Sequence, residues 1–408
     1  MDILSYSSRF SIGQLVNPRC HSPRAFTLRS SLPFPPQNAK YHRELQAAVD
    51  VVEKACGLCV DVQKSLFASS GGILEKNDQT PVTVADFGVQ ALVSLELGRK
   101  FPSIPLVAEE DSTFLRTTPL SQAVLSAVTD KASLGDESLS QDDVLEAIDR
   151  GGKDAFAFGT TPATYWVLDP IDGTRGFLKG SEALYVVGLA LVVEGEIVLG
   201  VMGCPNWRGE FSKWPTAKGQ EDRTILSESG TIMVAHIGCG TWRKRLSDML
   251  GGRVEVHNDW VRCFVDSCCL LHEAHFCISD SQTWESLPLS ILFSSTNNPD
   301  SVGDRQILLL PICCGSLCKY LMVASGKASV FFLRARAQTV IKAWDHAVGI
   351  ICVHEAGGQV TDWKGSQLDL AVDQIERRVI FPSGGVLVTN GNVHKQILEI
   401  LSVSSSIV

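Results

Sequence analysis

The segment Trp166-Val-Leu-Asp-Pro-Ile-Asp-Gly-Thr174 runs from a short apolar strand directly into a turn with two carboxylates. Proline stiffens such a turn, so we expect Asp169 and Asp172 to point into the same site. Gly173 lets backbone N–H groups approach an anion closely. Taken alone, a turn of this type is more often structural than functional. Its meaning therefore depends on the other acids of the chain.

Further carboxylates recur where strands end and helices begin. Asp78 lies in a loop before a predicted helix, Glu109 ends a predicted strand, and Asp345 stands beside Trp344 at the start of a helix. Because such positions open into a crevice, carboxylates from separate elements can collect around a hard divalent cation. Mg²⁺ suits such a site, since it keeps some waters and takes the rest of its ligands from a substrate phosphate.

The length and charge of the chain exclude several classes of protein. With 408 residues, 45% of them apolar, it is long enough for two or three globular domains and too apolar for a disordered protein. Its formal charge of −9 argues against a nucleic-acid-binding protein, which would concentrate Lys and Arg. The best apolar stretch, residues 183–204, is broken by Glu194 and Glu196, so no run reaches the roughly 18 residues of a spanning helix. We expect neither nucleic acid nor a membrane as a partner.

The charge is unevenly distributed along the chain. Residues 1–40 hold four Arg and one Lys against a single acid, with seven Ser. This composition is typical of a disordered organelle transit peptide and lacks the apolar core of a secretory signal; an untargeted disordered tail is the alternative. The remaining residues carry 31 bases and 44 acids, a net charge of −13.

We divide the remainder into two domains. Residues 41–224 form an N-terminal α+β domain with most of the candidate metal ligands, and residues 225–408 form a C-terminal α/β domain with Asp345. Periodicity and capping signals predict helices over residues 41–67, after Thr83-Val-Ala-Asp86, and over 142–150, 316–325 and 344–355. Apolar runs predict strands at 104–108, 166–168, 184–193, 197–202, 329–333 and 385–388. Residues 225–301 show no regular pattern.

The 13 cysteines favour reduced thiols, because the chain has no secretory signal and no regular cysteine spacing. Cys56 and Cys59 fall on the apolar stripe of a predicted helix, so we interpret them as core residues rather than a redox motif. Cys313, Cys314 and Cys318 are likewise interpreted as core residues, because no second Cys or His pair follows at zinc spacing.

Four ordered motifs resemble the lithium-sensitive, magnesium-dependent inositol monophosphatase superfamily. They are Lys76-Asn-Asp-Gln-Thr-Pro-Val-Thr-Val-Ala-Asp86, Glu109-Glu110, Trp166 to Thr174, and Trp344-Asp-His346 with Glu355-Ala-Gly-Gly358. Within the superfamily, Thr174-Arg-Gly-Phe-Leu-Lys-Gly180 and Gly203-Cys-Pro-Asn206 resemble the 3′(2′),5′-bisphosphate nucleotidase branch. The resemblance implies an α/β fold, a layered αβαβα sandwich of the inositol monophosphatase and fructose-1,6-bisphosphatase type.

The resemblance also implies roles for individual residues. Glu109, Asp169 and the carbonyl of Ile171 would hold one Mg²⁺, and Asp169, Asp172 and Asp345 a second. Asp78 would pair with Thr174 to activate the attacking water, and would contact a third ion where one is present. The substrate-binding residues would be Gly173 and Thr174 at the scissile phosphate, with Ser316, Lys319 and Arg334 at the nucleotide.

The function implied is hydrolysis of the 3′-phosphate of 3′-phosphoadenosine 5′-phosphate (PAP), or of its phosphosulfate analogue PAPS, by in-line attack of a metal-activated water. Two alternatives stay open: an inositol phosphate phosphatase, and a catalytically silent metal-binding regulator of the same fold. Residues 254–310 depart from the family pattern, so the resemblance assigns no residue there to base recognition, and His275 is a weak candidate. We expect a monomer in the mitochondrion, with the chloroplast as the alternative.

Overall fold

The computed structural model describes residues 32–68, 74–75, 81–82, 84–133, 138–161, 163–180, 183–208, 229–246, 260–279, 308–313, 315–335 and 340–404. Residues 1–31 of the predicted leader, the predicted catalytic residue Asp78, the helix cap Thr83 and Cys314 lie outside the described residues.

Eight α-helices are present in the described part of the chain. They are α1 (His42–Ala68), α2 (Val84–Lys100), α3 (Leu120–Thr129), α4 (Gln141–Asp149), α5 (Thr174–Leu178), α6 (Ser316–Ala324), α7 (Ala347–Glu355) and α8 (His394–Ser404). Within the same residues, no helix is both long and apolar enough to cross a membrane.

The strands build two main sheets and two small pairs. The strands are β1 (Leu74–Glu75), β2 (Pro81–Val82), β3 (Leu106–Ala108), β4 (Tyr165–Asp172), β5 (Val186–Val193), β6 (Glu196–Arg208), β7 (Ser229–His236), β8 (Gly240–Arg245), β9 (Val261–Cys263), β10 (His275–Ser279), β11 (Leu308–Ile312), β12 (Val330–Arg334), β13 (Ile341–Lys342), β14 (Gln359–Asp362), β15 (Val379–Ile380) and β16 (Gly385–Thr389). The larger sheet has the order β3-β4-β5-β6-β7-β8-β9, and the smaller one β11-β10-β12-β16-β14. β1 pairs with β2, and β13 with β15.

The elements stack in five layers. Helices α1 and α2 pack on one face of the seven-stranded sheet, and α6 and α7 pack on its other face. The five-stranded sheet lies beyond α6 and α7, and α8 covers its far side through a core that includes Val393, Ile397 and Leu401. This order, α-β-α-β-α, is the layered sandwich that the family resemblance implied.

Close approach between layers depends on small residues. A Cβ on Gly203 of β6 would overlap the Cys56 thiol of α1. Both Cys56 and Cys59 are fully buried in α1, and burial raises the pKa of each thiol well above its usual value. The interpretation of these two thiols as core residues is confirmed.

The larger sheet crosses the predicted domain boundary. That boundary, between residues 224 and 225, falls between β6 and β7, which pair along most of their length, for example at Val201 and Val234. The strands β7, β8 and β9 therefore complete the sheet of the N-terminal half. No strand pattern was visible for β7 because it is buried on both faces and reads as one short apolar run rather than an alternation.

The body of the protein also includes residues assigned to the leader. Leu32, Phe34 and Ala39 are buried against the core of the N-terminal half. The Cys239 thiol donates to the Asn38 carbonyl at 3.1 Å, and the N–H of Tyr41, just before α1, donates to Nε2 of His236 at 3.2 Å. Residues 32–40 are thus part of the packed structure, which corrects the expectation that all of residues 1–40 are disordered.

Candidate active site

The end of β4 carries the first two carboxylates of the site. β4 pairs with β5 from Tyr165 to Asp169, but the register shifts between Asp169 and Asp172, which is a β-bulge over the intervening Pro-Ile pair. Because of the bulge, both carboxylates reach the same cluster. Asp169, Asp172 and Asp345 each place one carboxylate oxygen within 4.8 Å of an oxygen of the other two.

The Asp172 carboxylate also joins the two halves of the protein. It accepts hydrogen bonds from three backbone N–H groups in the first turn of α6, those of Ser316 at 2.8 Å, Leu317 at 2.8 Å and Cys318 at 3.3 Å. A carboxylate at a helix N-terminus is favoured by the unpaired N–H groups there. A Cβ on Gly315 would overlap this carboxylate, so the backbone before α6 has to lack a side chain.

Asp345 lies in the turn before α7, not within the helix. The sequence predicted a helix from residue 344, whereas α7 begins at Ala347. His346, next to Asp345, is fully buried, and its Nδ1 lies 2.9 Å from the hydroxyl of Tyr320 in α6. Burial lowers the pKa of His346 to about 3, so the ring is neutral, and a hydrogen bond joins its Nδ1 to the Tyr320 hydroxyl.

Glu109 directly follows β3, which pairs with β4 in parallel. Its side chain lines the same cleft as the three aspartates. It is not one of the three acids that lie within 4.8 Å of one another. The backbone beside it is held by Gln90 of α2, whose amide oxygen accepts from the Glu110 N–H at 2.8 Å and whose amide nitrogen donates to the Glu110 carbonyl at 2.7 Å. Gln90 is fully buried, so this pair of bonds is shielded from water.

The acids of the cluster perturb one another. Burial, followed by the charges of Asp172, Glu109 and Asp345, raises the pKa of Asp169 well above its usual value. Burial and the charges of Asp172 and Glu109 do the same to the pKa of Asp345. Burial raises the pKa of Asp172 to about 6, although Lys319 and the three N–H groups of α6 act in the opposite direction.

The same acids fit a divalent cation. Asp169 Oδ1 is buried and has no hydrogen-bond partner among the described residues. A buried carboxylate oxygen without a donor is costly, and a cation among several carboxylates removes both that cost and the mutual repulsion. Oxygen atoms from separate elements are the ligands that Mg²⁺ prefers. The residues present therefore fit the predicted ion.

Gly173 and Thr174 form the start of α5. Gly173 has a φ of +85°, a left-handed conformation that suits glycine, and it directs the chain from β4 into the helix. The Thr174 hydroxyl donates to the carbonyl of Ile171 at 3.2 Å. The predicted pairing of Thr174 with Asp78 lies outside the described residues.

A cleft of about 560 Å³ surrounds these groups. Its lining includes all of the predicted site residues within the described part of the chain except Arg334. Bases join the acids there: Arg175, Lys179 and Lys319 also line the cleft. The site thus combines acids that fit cations with bases that fit the anionic groups of a substrate.

The three predicted nucleotide contacts have different surroundings. Ser316 lines the cleft at the start of α6. Lys319 is buried, donates to the Gly315 carbonyl at 2.7 Å, and holds its ammonium 5.6 Å from the centre of the Phe331 ring. Arg334, at the end of β12, is exposed and is not among the residues lining the cleft. Its role stays a prediction.

Three further acids near these motifs differ in burial. Asp86 is buried in the first turn of α2, and its charge contributes to the raised pKa of Asp169. Glu110 is buried and Asp111 is exposed. The predicted site set did not include Arg175 and Lys179, although both belong to the Thr174-Arg-Gly-Phe-Leu-Lys-Gly180 motif. Ser279, at the end of β10, gave no sequence signal.

Comparison with known proteins decides the family. The model of the inositol monophosphatase family matches residues 40–405. The chain belongs to the inositol monophosphatase family. Among members of the family, a protein of Arabidopsis thaliana named "Putative 3'(2'),5'-bisphosphate nucleotidase, mitochondrial" is 62% identical over 99% of each chain. A "3'(2'),5'-bisphosphate nucleotidase" of Oryza sativa is 33% identical over 88% of this chain and 93% of its own.

Solved structures agree on the inositol monophosphatase fold. An IMPase of Thermotoga maritima aligns with a TM-score of 0.52 and 19% identity, covering 89% of this chain and 98% of its own. The extragenic suppressor protein suhB of Bartonella henselae aligns with a TM-score of 0.52 and 17% identity, covering 87% and 96%. The predicted fold class and family are confirmed. Members of this family are metal-dependent phosphatases, generally using Mg²⁺.

Proposed function

We propose that this chain is a Mg²⁺-dependent 3′(2′),5′-bisphosphate nucleotidase that hydrolyses the 3′-phosphate of PAP to give AMP and phosphate, and that it acts also on PAPS. The observation that carries the proposal is the 62% identity, over 99% of both chains, to the Arabidopsis protein named for this activity. The acidic cluster at the end of β4 supports it, because phosphate monoester hydrolysis requires neutralisation of the phosphate charge.

The proposed ligands are those named by the family motifs. Glu109, Asp169 and the Ile171 carbonyl would hold one Mg²⁺, and Asp169, Asp172 and Asp345 a second, with Asp78 near a third. The buried, unpartnered Asp169 Oδ1 and the short distances among the three aspartates support this assignment. When bound, the cations would neutralise the phosphate and activate water for in-line attack.

The remaining residues would orient the substrate. The N–H groups of Gly173 and Thr174 would donate to the scissile phosphate, and Thr174 with Asp78 would hold the proton of the attacking water. Ser316, Lys319 and Arg334 would contact the nucleotide. The positive charges of Arg175 and Lys179 at the cleft support binding of a substrate with two phosphate groups rather than one.

We further propose that the protein acts as a monomer in the mitochondrion. The name of the Arabidopsis relative supports the location, and the basic, Ser-rich composition of residues 1–31 supports a leader. Import of a green fluorescent protein fusion tests this: we expect mitochondrial fluorescence, and chloroplast fluorescence would contradict it.

Phosphate release from the purified chain tests the activity. PAP, PAPS and inositol 1-phosphate are offered separately with Mg²⁺, and Asp169→Asn serves as the inactive control. We expect the highest kcat/KM with PAP and inhibition by Li⁺. A preference for inositol 1-phosphate would replace the nucleotide assignment, and no release from any substrate would indicate a metal-binding protein without turnover.

A further inference from the structure

A tight turn at residues 373–378 presents two neighbouring arginines to the interior. The Asp373 carboxylate accepts the backbone N–H groups of Glu376 at 3.1 Å and Arg378 at 2.9 Å. These bonds outweigh the effect of partial burial and hold the pKa of Asp373 below its usual value. Arg377 has a φ of +58°, a left-handed conformation that is rare for a residue with a side chain. The turn is therefore held in a specific shape rather than left as a loose loop.

The two arginines reach different parts of the protein. Arg377 is fully buried and donates to the carbonyls of Gly159 at 2.6 Å and Thr161 at 3.3 Å, with its guanidinium 5.7 Å from the Phe158 ring centre. None of these contacts involves a residue of the candidate metal site or one adjacent to it. Arg377 thus fastens the turn to the N-terminal half without approaching the acids.

Arg378 contacts both sides of the acidic cluster. One terminal nitrogen donates to the backbone carbonyl of Glu109 at 3.2 Å, and the other donates to the carbonyl of Gly151 at 3.2 Å. Its guanidinium carbon lies 4.8 Å from the ring centre of Trp344, the residue before Asp345. The Gly151 carbonyl also accepts the Ala108 N–H at 2.9 Å, so it is attached to the end of β3 that carries Glu109.

The backbone of the turn reinforces the second contact. The Ala343 N–H donates to the Arg378 carbonyl at 2.9 Å, and Lys342 pairs with Val379 in the small β13-β15 sheet. The residues leading to Asp345 are therefore tied to the same turn that holds Glu109. Glu109 and Asp345 are separated by more than two hundred residues in the chain, and their charges act together on Asp169.

We propose that Arg378 is a positioning residue that fixes Glu109 and Asp345 relative to each other and thereby sets the affinity of the site for divalent cations. The inference rests on the proposed metal site. The planar guanidinium suits this role because it can donate to two carbonyls while one face lies against an indole ring. A lysine ammonium has a single charged centre and cannot make all three contacts in this geometry.

Metal binding to the full chain tests the proposal. Mn²⁺ replaces Mg²⁺ as a spectroscopic probe, and bound Mn²⁺ is measured by electron paramagnetic resonance for wild type, Arg378→Lys and Arg378→Gln. Arg377→Lys is the matched control, since Arg377 is the adjacent and more buried arginine of the same turn. The melting temperature of each metal-free variant is recorded in parallel.

We expect Arg378→Lys and Arg378→Gln to weaken Mn²⁺ binding by about 10- to 100-fold, the usual cost of removing a group that orients a metal ligand. Arg377→Lys should lower the melting temperature while leaving the Mn²⁺ dissociation constant within about twofold of wild type. Unchanged Mn²⁺ binding in both Arg378 variants would overturn the inference. Equal weakening in Arg377→Lys would also overturn it, because the effect would then be one of general stability.

The metal-binding result is separate from the assignment of substrate. If wild type binds Mn²⁺ and the Arg378 variants lose affinity, the positioning role stands even when PAP is not hydrolysed. If wild type hydrolyses PAP and the Arg378 variants bind Mn²⁺ normally, the nucleotidase assignment stands and the positioning role fails.

Discussion

The carboxylate of Asp172 accepts a hydrogen bond from the backbone N–H of Ser316 at 2.8 Å, across 144 residues of sequence. The same carboxylate belongs to the acidic cluster. The bond therefore couples the start of α6, which carries predicted substrate contacts, to the end of β4, which carries predicted metal ligands. A shift of either element would change the position of the other.

Gly315→Ala should disturb this coupling. The added Cβ would overlap the Asp172 carboxylate and force it, or the start of α6, to move. We expect an increase of about tenfold or more in the Mg²⁺ concentration needed for half-maximal phosphatase activity, in line with the loss of a group that orients a ligand. Gly98→Ala in α2 is the control, since a Cβ there would meet no atom within 4 Å. Equal Mg²⁺ requirements in the two variants would contradict the coupling.

Asp169→Asn should raise the melting temperature of the metal-free protein and reduce the further increase caused by Mg²⁺. In the metal-free protein, burial and neighbouring charges raise the pKa of Asp169, so its ionised form opposes folding at neutral pH. We expect metal-free Asp169→Asn to melt at a higher temperature than metal-free wild type. Added Mg²⁺ should raise the melting temperature of wild type, as any ligand specific to the folded state does. A similar Mg²⁺-induced increase in Asp169→Asn would argue against Asp169 as a ligand.

Tyr320→Phe should lower the free energy of unfolding, because it removes the hydrogen bond to His346. Without the hydroxyl, Nδ1 of the buried neutral ring loses its hydrogen-bond partner, and an unsatisfied buried polar group costs about 1–3 kcal/mol in the free energy of unfolding. Tyr185→Phe is the matched control, because the Tyr185 hydroxyl is buried and has no hydrogen-bond partner among the described residues. Chemical denaturation measures both variants. The interpretation fails if Tyr185→Phe is destabilised as much as Tyr320→Phe.

Asp149→Asn should remove a pH-dependent contribution to stability. Partial burial raises the pKa of Asp149, but hydrogen bonds from Arg116 and Ser112 outweigh it and hold the pKa below its usual value. A depressed carboxyl pKa stabilises the fold above the unfolded pKa of about 4, and this is lost as the pH falls through the folded value. The side chain is 41% exposed, so we expect less than about 1 kcal/mol.

Unfolding measurements from pH 3 to 7 check this prediction. Wild type should be more stable than Asp149→Asn above pH 4, and the difference should shrink as the pH falls further. A difference that is constant across the range would show that the carboxylate charge is not responsible.

The acids of the site could be predicted from the sequence because each follows a local pattern. Asp169 and Asp172 flank a Pro-Ile pair after an apolar strand, and Glu109 also ends a strand. Positions of this kind meet at one crevice of an α/β fold. The structure brings Asp169, Asp172 and Asp345 together as the sequence predicted, although Asp345 lies in a turn rather than in a helix.

The residues that hold these acids in place could not be predicted in the same way. Gln90, in α2, is hydrogen-bonded to the backbone of Glu110. Arg378 is hydrogen-bonded to the backbone of Glu109 across 269 residues of sequence. Such contacts depend on how distant elements pack, and no local pattern marks them. The strands β7, β8 and β9 were missed for a related reason. β7 pairs with β6, β8 with β7 and β9 with β8, and this pairing is not visible in their own composition.

Phosphorus-31 magnetic resonance of PAP, incubated with the full chain and Mg²⁺, tests the central assignment most directly. We predict that the 3′-phosphate signal disappears as inorganic phosphate appears, that the 5′-phosphate signal of AMP remains, and that a chelator stops the reaction. Loss of the 5′-phosphate instead, or no change in either signal while the protein binds Mg²⁺, would contradict the assignment.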